Sequence, residues 1–225
     1  MEKKISKVEQ VYEYLLQQMV EQHYKAGDRL VISQIAKACN VSEIPVREAL
    51  RRLESDGYVK INANQGAIAI GFDADSILNI FQIKGLLEGY ATRLSINYLS
   101  PIDLIKLREI NEDLRKAARA QDYATYSDLN VQFHMFIYGK TQKKELINLI
   151  QDLWKKWHIT TRVFSLAPGR MDISYLEHEQ IVCLIEARKY DEVEKYVRVH
   201  KFHAAEQLIA QLPGGSHIAL SFGNE

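Results

Sequence analysis

The sequence predicts a mainly α-helical protein, with an N-terminal winged helix-turn-helix followed by an all-helical bundle. Three observations predict it. Apolar residues recur at three- and four-residue spacing almost throughout. The one convincing pair of β-prone runs falls near residue 60, joined by a short polar loop. Turn and capping residues then divide the helical pattern into segments of ordinary helix length.

Taken in order, Val8, Val11, Tyr12, Leu15, Leu16 and Met19 put one apolar stripe on a first helix, which ends before the turn Lys25-Ala26-Gly27-Asp28. Ile32, Ile35, Ala36 and Cys39 make a short second helix, and Asn40-Val41-Ser42 a tight break. Val46, Ala49, Leu50 and Leu53 line a third helix stopped at Gly57. A hairpin follows: Tyr58 to Ile61 and Ala67 to Ile70, around Asn62 to Gly66. Beyond Asp75 the pattern predicts helices near 74–98, 101–120, 122–139, 143–166, 171–188 and 190–211. Ser100-Pro101 is an N-cap with proline at the first helical position, and Asp122 and Asp172 are placed to cap two later helices. The organisation expected is 1–72 for the winged helix-turn-helix domain, 73–212 for an all-helical effector and metal-binding domain, and 213–225 for a tail.

Composition narrows the function. Hydrophobic residues make up 47% of the 225 and charged residues 26%, as in ordinary globular proteins, so wholesale disorder is excluded. No apolar run is long enough to cross a membrane, and the start lacks the apolar core of a secretion signal. Cys39 and Cys183 form no CxxC pair, which favours a reduced, cytoplasmic setting. Twenty-nine basic residues balance 29 acidic ones, and residues 1–71 carry only one surplus positive charge. Such balance excludes strong non-specific affinity for nucleic acid and leaves recognition to a few well-placed arginines.

A short helix, a break, a second helix and a two-stranded wing is the layout of DNA-binding helix-turn-helix modules. With Ser42 as cap, Glu43, Ile44 and Pro45 occupy the first turn of the second of these helices, and its outward stripe is Glu43, Ile44, Arg47, Arg51 and Ser55. Arg47 suits guanine and Ile44 a thymine methyl. Arg51 and Arg52, further along, suit phosphates, and Gln65 and Gly66 at the wing suit the minor groove. The plainer alternative is a solvated face on which Arg47 and Arg51 pair with Glu43, Glu48 and Glu54. Tyr24 to Leu30, and above all Val41-Ser-Glu-Ile-Pro-Val-Arg-Glu-Ala-Leu-Arg-Arg-Leu-Glu, resemble the winged helix-turn-helix of GntR-family bacterial transcription regulators. The resemblance implies binding of a pseudo-palindromic operator DNA as a homodimer, with Ser33, Ser42, Glu43, Ile44, Arg47 and Gly66 close to it. Ser33 and Glu43 stand where that family often carries arginine.

In the second domain the histidine spacing is informative. Asn130 and His134 are one helical turn apart. His178 and His200 lie equally far on either side of a turn near Lys189, which sets them at one height in an antiparallel helix pair. Three imidazoles and one oxygen converging inside a helical bundle suit a divalent transition metal, zinc, nickel or manganese. His203, one turn from His200, is a candidate for a supporting role. The runs Asn130-Val-Gln-Phe-His134 and Glu177-His-Glu-Gln-Ile, followed by His200, resemble the FadR-type (FCD) ligand-binding domain. That resemblance implies an effector site for a small organic acid or sugar acid at the metal, with Asn130 where relatives have aspartate. Arg93, Arg162 and Arg170 are candidate carboxylate clamps, and Lys84 joins them where relatives often carry arginine. The expected function is a ligand-responsive transcription regulator without catalytic residues. The alternative is a metal-dependent hydrolase or oxygenase built on the same histidines.

Overall fold

The computed structural model of the chain describes residues 6–62, 66–70, 74–156, 163–167 and 169–212. The chain divides between Ser76 and Ile77 into two compact units, Leu212 grouping with the first.

The first unit holds α1 (Lys7–Val20), β1 (Arg29–Leu30), α2 (Ile32–Ala38), α3 (Glu43–Ser55), β2 (Val59–Asn62) and β3 (Gly66–Ala69). Ser6 caps α1 by accepting from the Glu9 amide at 3.1 Å. The helix buries Val11, Tyr12, Leu15, Leu16 and Met19 where it packs on α3, which buries Val46, Ala49, Leu50 and Leu53. At roughly 1.5–3 kcal/mol for each large aliphatic side chain, this seam is the module's main stabilisation. A polar pin fixes its register: Tyr12 donates to Asp56 Oδ2 at 2.5 Å, and the Arg52 guanidinium lies 4.3 Å over the Tyr12 ring while it pairs with Glu9. Arg52, still half exposed, ties α3 to α1. Pro45 is buried, so of the first-turn residues only Glu43 and Ile44 face outward. Ser42 stands at the N-cap but makes no capping hydrogen bond through its side chain.

The hairpin forms as expected, and a third strand joins it. The sheet order is β1-β3-β2, antiparallel, with Arg29 and Lys60 both opposite Ile68. β1 is too short to leave a periodic signal. It forms because Gly27, at φ +91°, turns the chain so that its amide donates to the Ala69 carbonyl while the Ala69 amide donates to Asp28.

The second unit is a helical bundle: α4 (Ala74–Ser95), α5 (Pro101–Arg119), α6 (Tyr123–Gly139), α7 (Lys144–Lys156), α8 (Val163–Leu166), α9 (Arg170–Glu186) and α10 (Tyr190–Ile209). Ser100 and Asp103 form the capping box of α5, and Asp122 caps α6 through the Thr125 amide. Asp172 lies inside the first turn of α9, and Gly169 occupies the cap position instead. Of the helix expected over 143–166, residues 144–156 and 163–166 are helical, and 157–162 lie outside the described residues. Leu107, Leu114, Tyr126, Phe133, Ile137, Ile181 and Val197 are among the core residues. Helices α4 and α10 approach closely at two glycines. A Cβ on Gly89 would stand 2.8 Å from the Glu194 carbonyl oxygen, and one on Gly85 3.4 Å from Arg198 Cα. That approach lets long polar side chains of α4 and α10 meet in the bundle interior. Cys39 and Cys183 are both free thiols.

Candidate metal and effector site, and the DNA-facing helix

Helix α6 carries Asn130 and His134, α9 carries His178 and α10 carries His200, all buried. The imidazole rings form a nearly equilateral triangle, with centroids 4.9, 5.2 and 5.0 Å apart. One nitrogen from each lies within 4.8 Å of the others. Phe133 stacks on His178 at 4.2 Å and fixes its plane.

Hydrogen bonds assign the tautomers of two of the three. His200 Nδ1 faces Glu177 Oε2 at 2.6 Å, so Nδ1 carries the proton and Nε2 the lone pair. Tyr138 gives its hydroxyl proton to Glu88 Oε2 at 2.6 Å and so accepts from His134 Nδ1 at 3.2 Å, which puts the lone pair on His134 Nε2, where the Lys201 ammonium lies 3.1 Å away. These two Nε2 atoms face each other at 3.3 Å. Two acceptors in that position call for a cation between or beside them. Nitrogens bound about 2.0–2.1 Å from a tetrahedral ion stand roughly 3.3–3.4 Å apart. Asn130 Oδ1, an acceptor, and His178 Nδ1 are buried and make no hydrogen bond among the described residues. The donor set fits a divalent transition metal: His134, His178 and His200 would hold it, with Asn130 as a neutral oxygen donor.

Burial keeps these imidazoles uncharged. It pushes His134 and His178 well below the usual histidine range and His200 down to about 4, in each case reinforced by neighbouring positive charge. Burial alone would raise the Glu177 carboxyl. Hydrogen bonds from His200 and His203, with the Arg170 charge, hold it below the usual carboxylate range instead. His203, half exposed, bonds Glu177 Oε1 at 2.6 Å and thus supports His200 from the rim.

A second shell of charge adjoins the triangle. Glu88 accepts from Trp154 Nε1 at 2.8 Å, Tyr138 at 2.6 Å and Lys201 at 2.8 Å, with Lys84 at 3.7 Å. Lys201 also donates to His134 Nε2 at 3.1 Å. Lys84 lies 3.8 Å over the Trp154 ring, and burial, with Lys201 nearby, brings its ammonium down to about 7. Arg170 pairs with Glu177, yet its Nε and Nη1 are buried without partners. Lys84, Lys201, Arg170, Asn130 and His200 line a cavity of about 20 Å³, room for one water.

Of the expected effector clamps, Lys84 and Arg170 line this cavity. Arg93 is on the surface, paired with Asp191 and Glu194, and Arg162 lies outside the described residues. Sequence reasoning missed Glu88 and Lys201. On the DNA-facing side, Ile44 is 69% exposed at the start of α3, and Ser33, Ser42, Arg47 and Arg51 are exposed beside it. Arg47 is paired with Glu43 at 2.9 Å, as the plainer alternative expects. Gly66 takes φ +76°, and Gln65 lies outside the described residues.

A winged helix-turn-helix followed by a helical domain defines the class of DNA-binding regulators. Comparison with known proteins supports this class. Residues 7–68 match the profile of bacterial regulatory proteins of the gntR family and residues 79–202 that of the FCD domain. The chain belongs to the FCD-domain branch of the GntR family. It is 25% identical over 197 residues to the Nta operon transcriptional regulator of Aminobacter aminovorans, covering 87% of this chain and 91% of that protein. The solved structure of Escherichia coli McbR/YncC matches at 25% identity with a TM-score of 0.56, over 92% of this chain and 96% of that one. That of Lar, which controls expression of the Listeria monocytogenes agr system, has a TM-score of 0.65 at 17% identity, over 92% and 99%, and speaks to the fold. The protein is a DNA-binding transcription regulator. Among the described residues no helix is long and apolar enough to cross a membrane.

Proposed function

We propose that the protein acts in the cytoplasm as a homodimer on a pseudo-palindromic operator, read by Ile44 and Arg47 of α3 with Ser33, Ser42, Glu43 and Arg51 close by and Gly66 at the wing. A small organic or sugar acid sensed in the helical domain biases the placement of the two DNA modules. The effector site is the histidine triangle with a zinc, nickel or manganese ion, and Lys84 and Arg170 face the effector carboxylate.

The observation that carries the sensing half is the pair of Nε2 lone pairs 3.3 Å apart. An ion there supplies positive charge and open coordination positions. Around it, Lys84, Lys201 and Arg170 outnumber Glu88 and Glu177 by three cations to two carboxylates, so an anion is the complementary guest. Arg170 Nε and Nη1 offer two unused donors to it.

Two measurements test the reading. Metal analysis and calorimetry with a panel of short organic acids should find about one ion per chain and acid binding that disappears in His134→Ala and His178→Ala. Unchanged stoichiometry in both variants rejects the metal site. A mobility-shift assay on the protein's own upstream DNA should show a specific complex whose affinity the acid changes. No binding at low salt, with or without acids, rejects the operator reading.

A further inference from the structure

The strand pairing places two cations on one exposed face of the wing. Arg29 on β1 and Lys60 on β2 are both opposite Ile68 of the central strand β3, so the three side chains share a face while Leu30, Ala67 and Ala69 are buried on the other. The Arg29 guanidinium leans along the sheet toward the hairpin end. Its Nε and Nη2 lie 3.8 and 3.9 Å from where a Cβ on Gly66 would be, an ordinary contact distance. Arg29 and Lys60 are exposed and have no ion-pair partner among the described residues, and the neighbouring Asp28 carboxylate is engaged by the Lys25 amide. Elsewhere in the module Arg47 is committed to Glu43 and Arg52 to Glu9. Six of the eight described cations of the DNA-binding unit make no ion pair, and Arg29 and Lys60 stand together on one exposed face of the sheet.

We propose that Arg29 and Lys60 form a phosphate-binding face of the wing, gripping the DNA backbone beside the half-site that α3 reads. The inference rests on the operator-binding reading above. A guanidinium and an ammonium carried by strands, apart from the helix that reads bases, suit the sugar-phosphate backbone, a contact that is blind to sequence.

The test is affinity against salt for full-length wild type, Arg29→Gln, Lys60→Gln and the double variant, on operator and on random duplex. Each lost phosphate contact should make the slope of log Kobs against log[salt] less negative by about 0.9 per bound module and weaken binding about fivefold at 0.15 M salt. The loss should be equal on both duplexes, and Arg29→Lys should restore it. Thermal melting should match wild type, since both side chains are exposed. Unchanged slopes with wild type still bound to its operator overturn the wing contact alone, as does a loss confined to the operator. A wild type that binds no DNA overturns the operator reading itself.

Discussion

Tyr138 sets the tautomer of His134. Its hydroxyl proton is drawn by the Glu88 carboxylate at 2.6 Å, so its oxygen accepts from His134 Nδ1 at 3.2 Å and the lone pair is left on the Nε2 that faces His200. Supporting contacts of this kind orient a ligand and raise its basicity, and losing one typically weakens metal binding 10–100-fold. Tyr138→Phe is therefore expected to bind zinc or nickel about 10–100-fold less tightly than wild type by competition with a chelator. Affinity within twofold of wild type removes Tyr138 from that role.

Metal-free protein is expected to lose stability as the medium turns acidic. Folded His200 titrates at about 4 against about 6.5 in the unfolded chain, so the unfolded state takes up the proton first as pH falls through 6.5, and the loss continues down to about 4. His134 and His178 shift in the same sense. His200 alone accounts for roughly 2 kcal/mol between pH 7.5 and 5. Urea midpoints in chelator at the two pH values check this, and a flat midpoint contradicts it.

Gly89→Ala should destabilise the protein more than Gly85→Ala. The first places a methyl 2.8 Å from a backbone carbonyl, which can move only with the helix, and the second places one at 3.4 Å from Arg198 Cα, close to ordinary contact. Overpacking of this kind costs about 1–3 kcal/mol. Thermal denaturation of both variants decides it, and equal melting temperatures would mean that α4 and α10 separate freely.

Arg47→Ala should abolish specific operator binding with the fold intact, because the side chain lies on the exposed face of α3 and contributes only a surface ion pair to Glu43. Ile44→Ala should cost about 1–3 kcal/mol of discrimination at a single base pair. Footprinting and circular dichroism read the two effects separately, and a full-affinity Arg47→Ala would show that α3 is not the reading element.

Most of the fold was legible because helices here carry long apolar stripes, and the histidine site because Asn130 and His134 share a face while His178 and His200 straddle one turn. What stayed hidden depends on tertiary approach. Lys84 is named only through the family resemblance, while Glu88, four residues on, looks like a solvated helix charge, and Lys201 like one more. Their burial follows from glycines that bring α4 against α10, which no local pattern announces. β1 has two residues and is defined only by its partner strand. Asp172 is placed in the sequence to cap α9, but the helix starts two residues before it and Gly169 takes the cap position.

The sheet that closes the N-terminal module brackets it as well. The segment from Leu30 to Val59 leaves β1 and returns in β2, and both strands are hydrogen-bonded to β3. The helix proposed to read base edges thus sits in a cassette clamped at both ends to one strand, with Tyr12, Asp56 and Arg52 locking its rear to α1. Outward residues of α3 are consequently free to drift under selection while the frame holds, so a lineage of such proteins can acquire new operators by changing a handful of exposed positions.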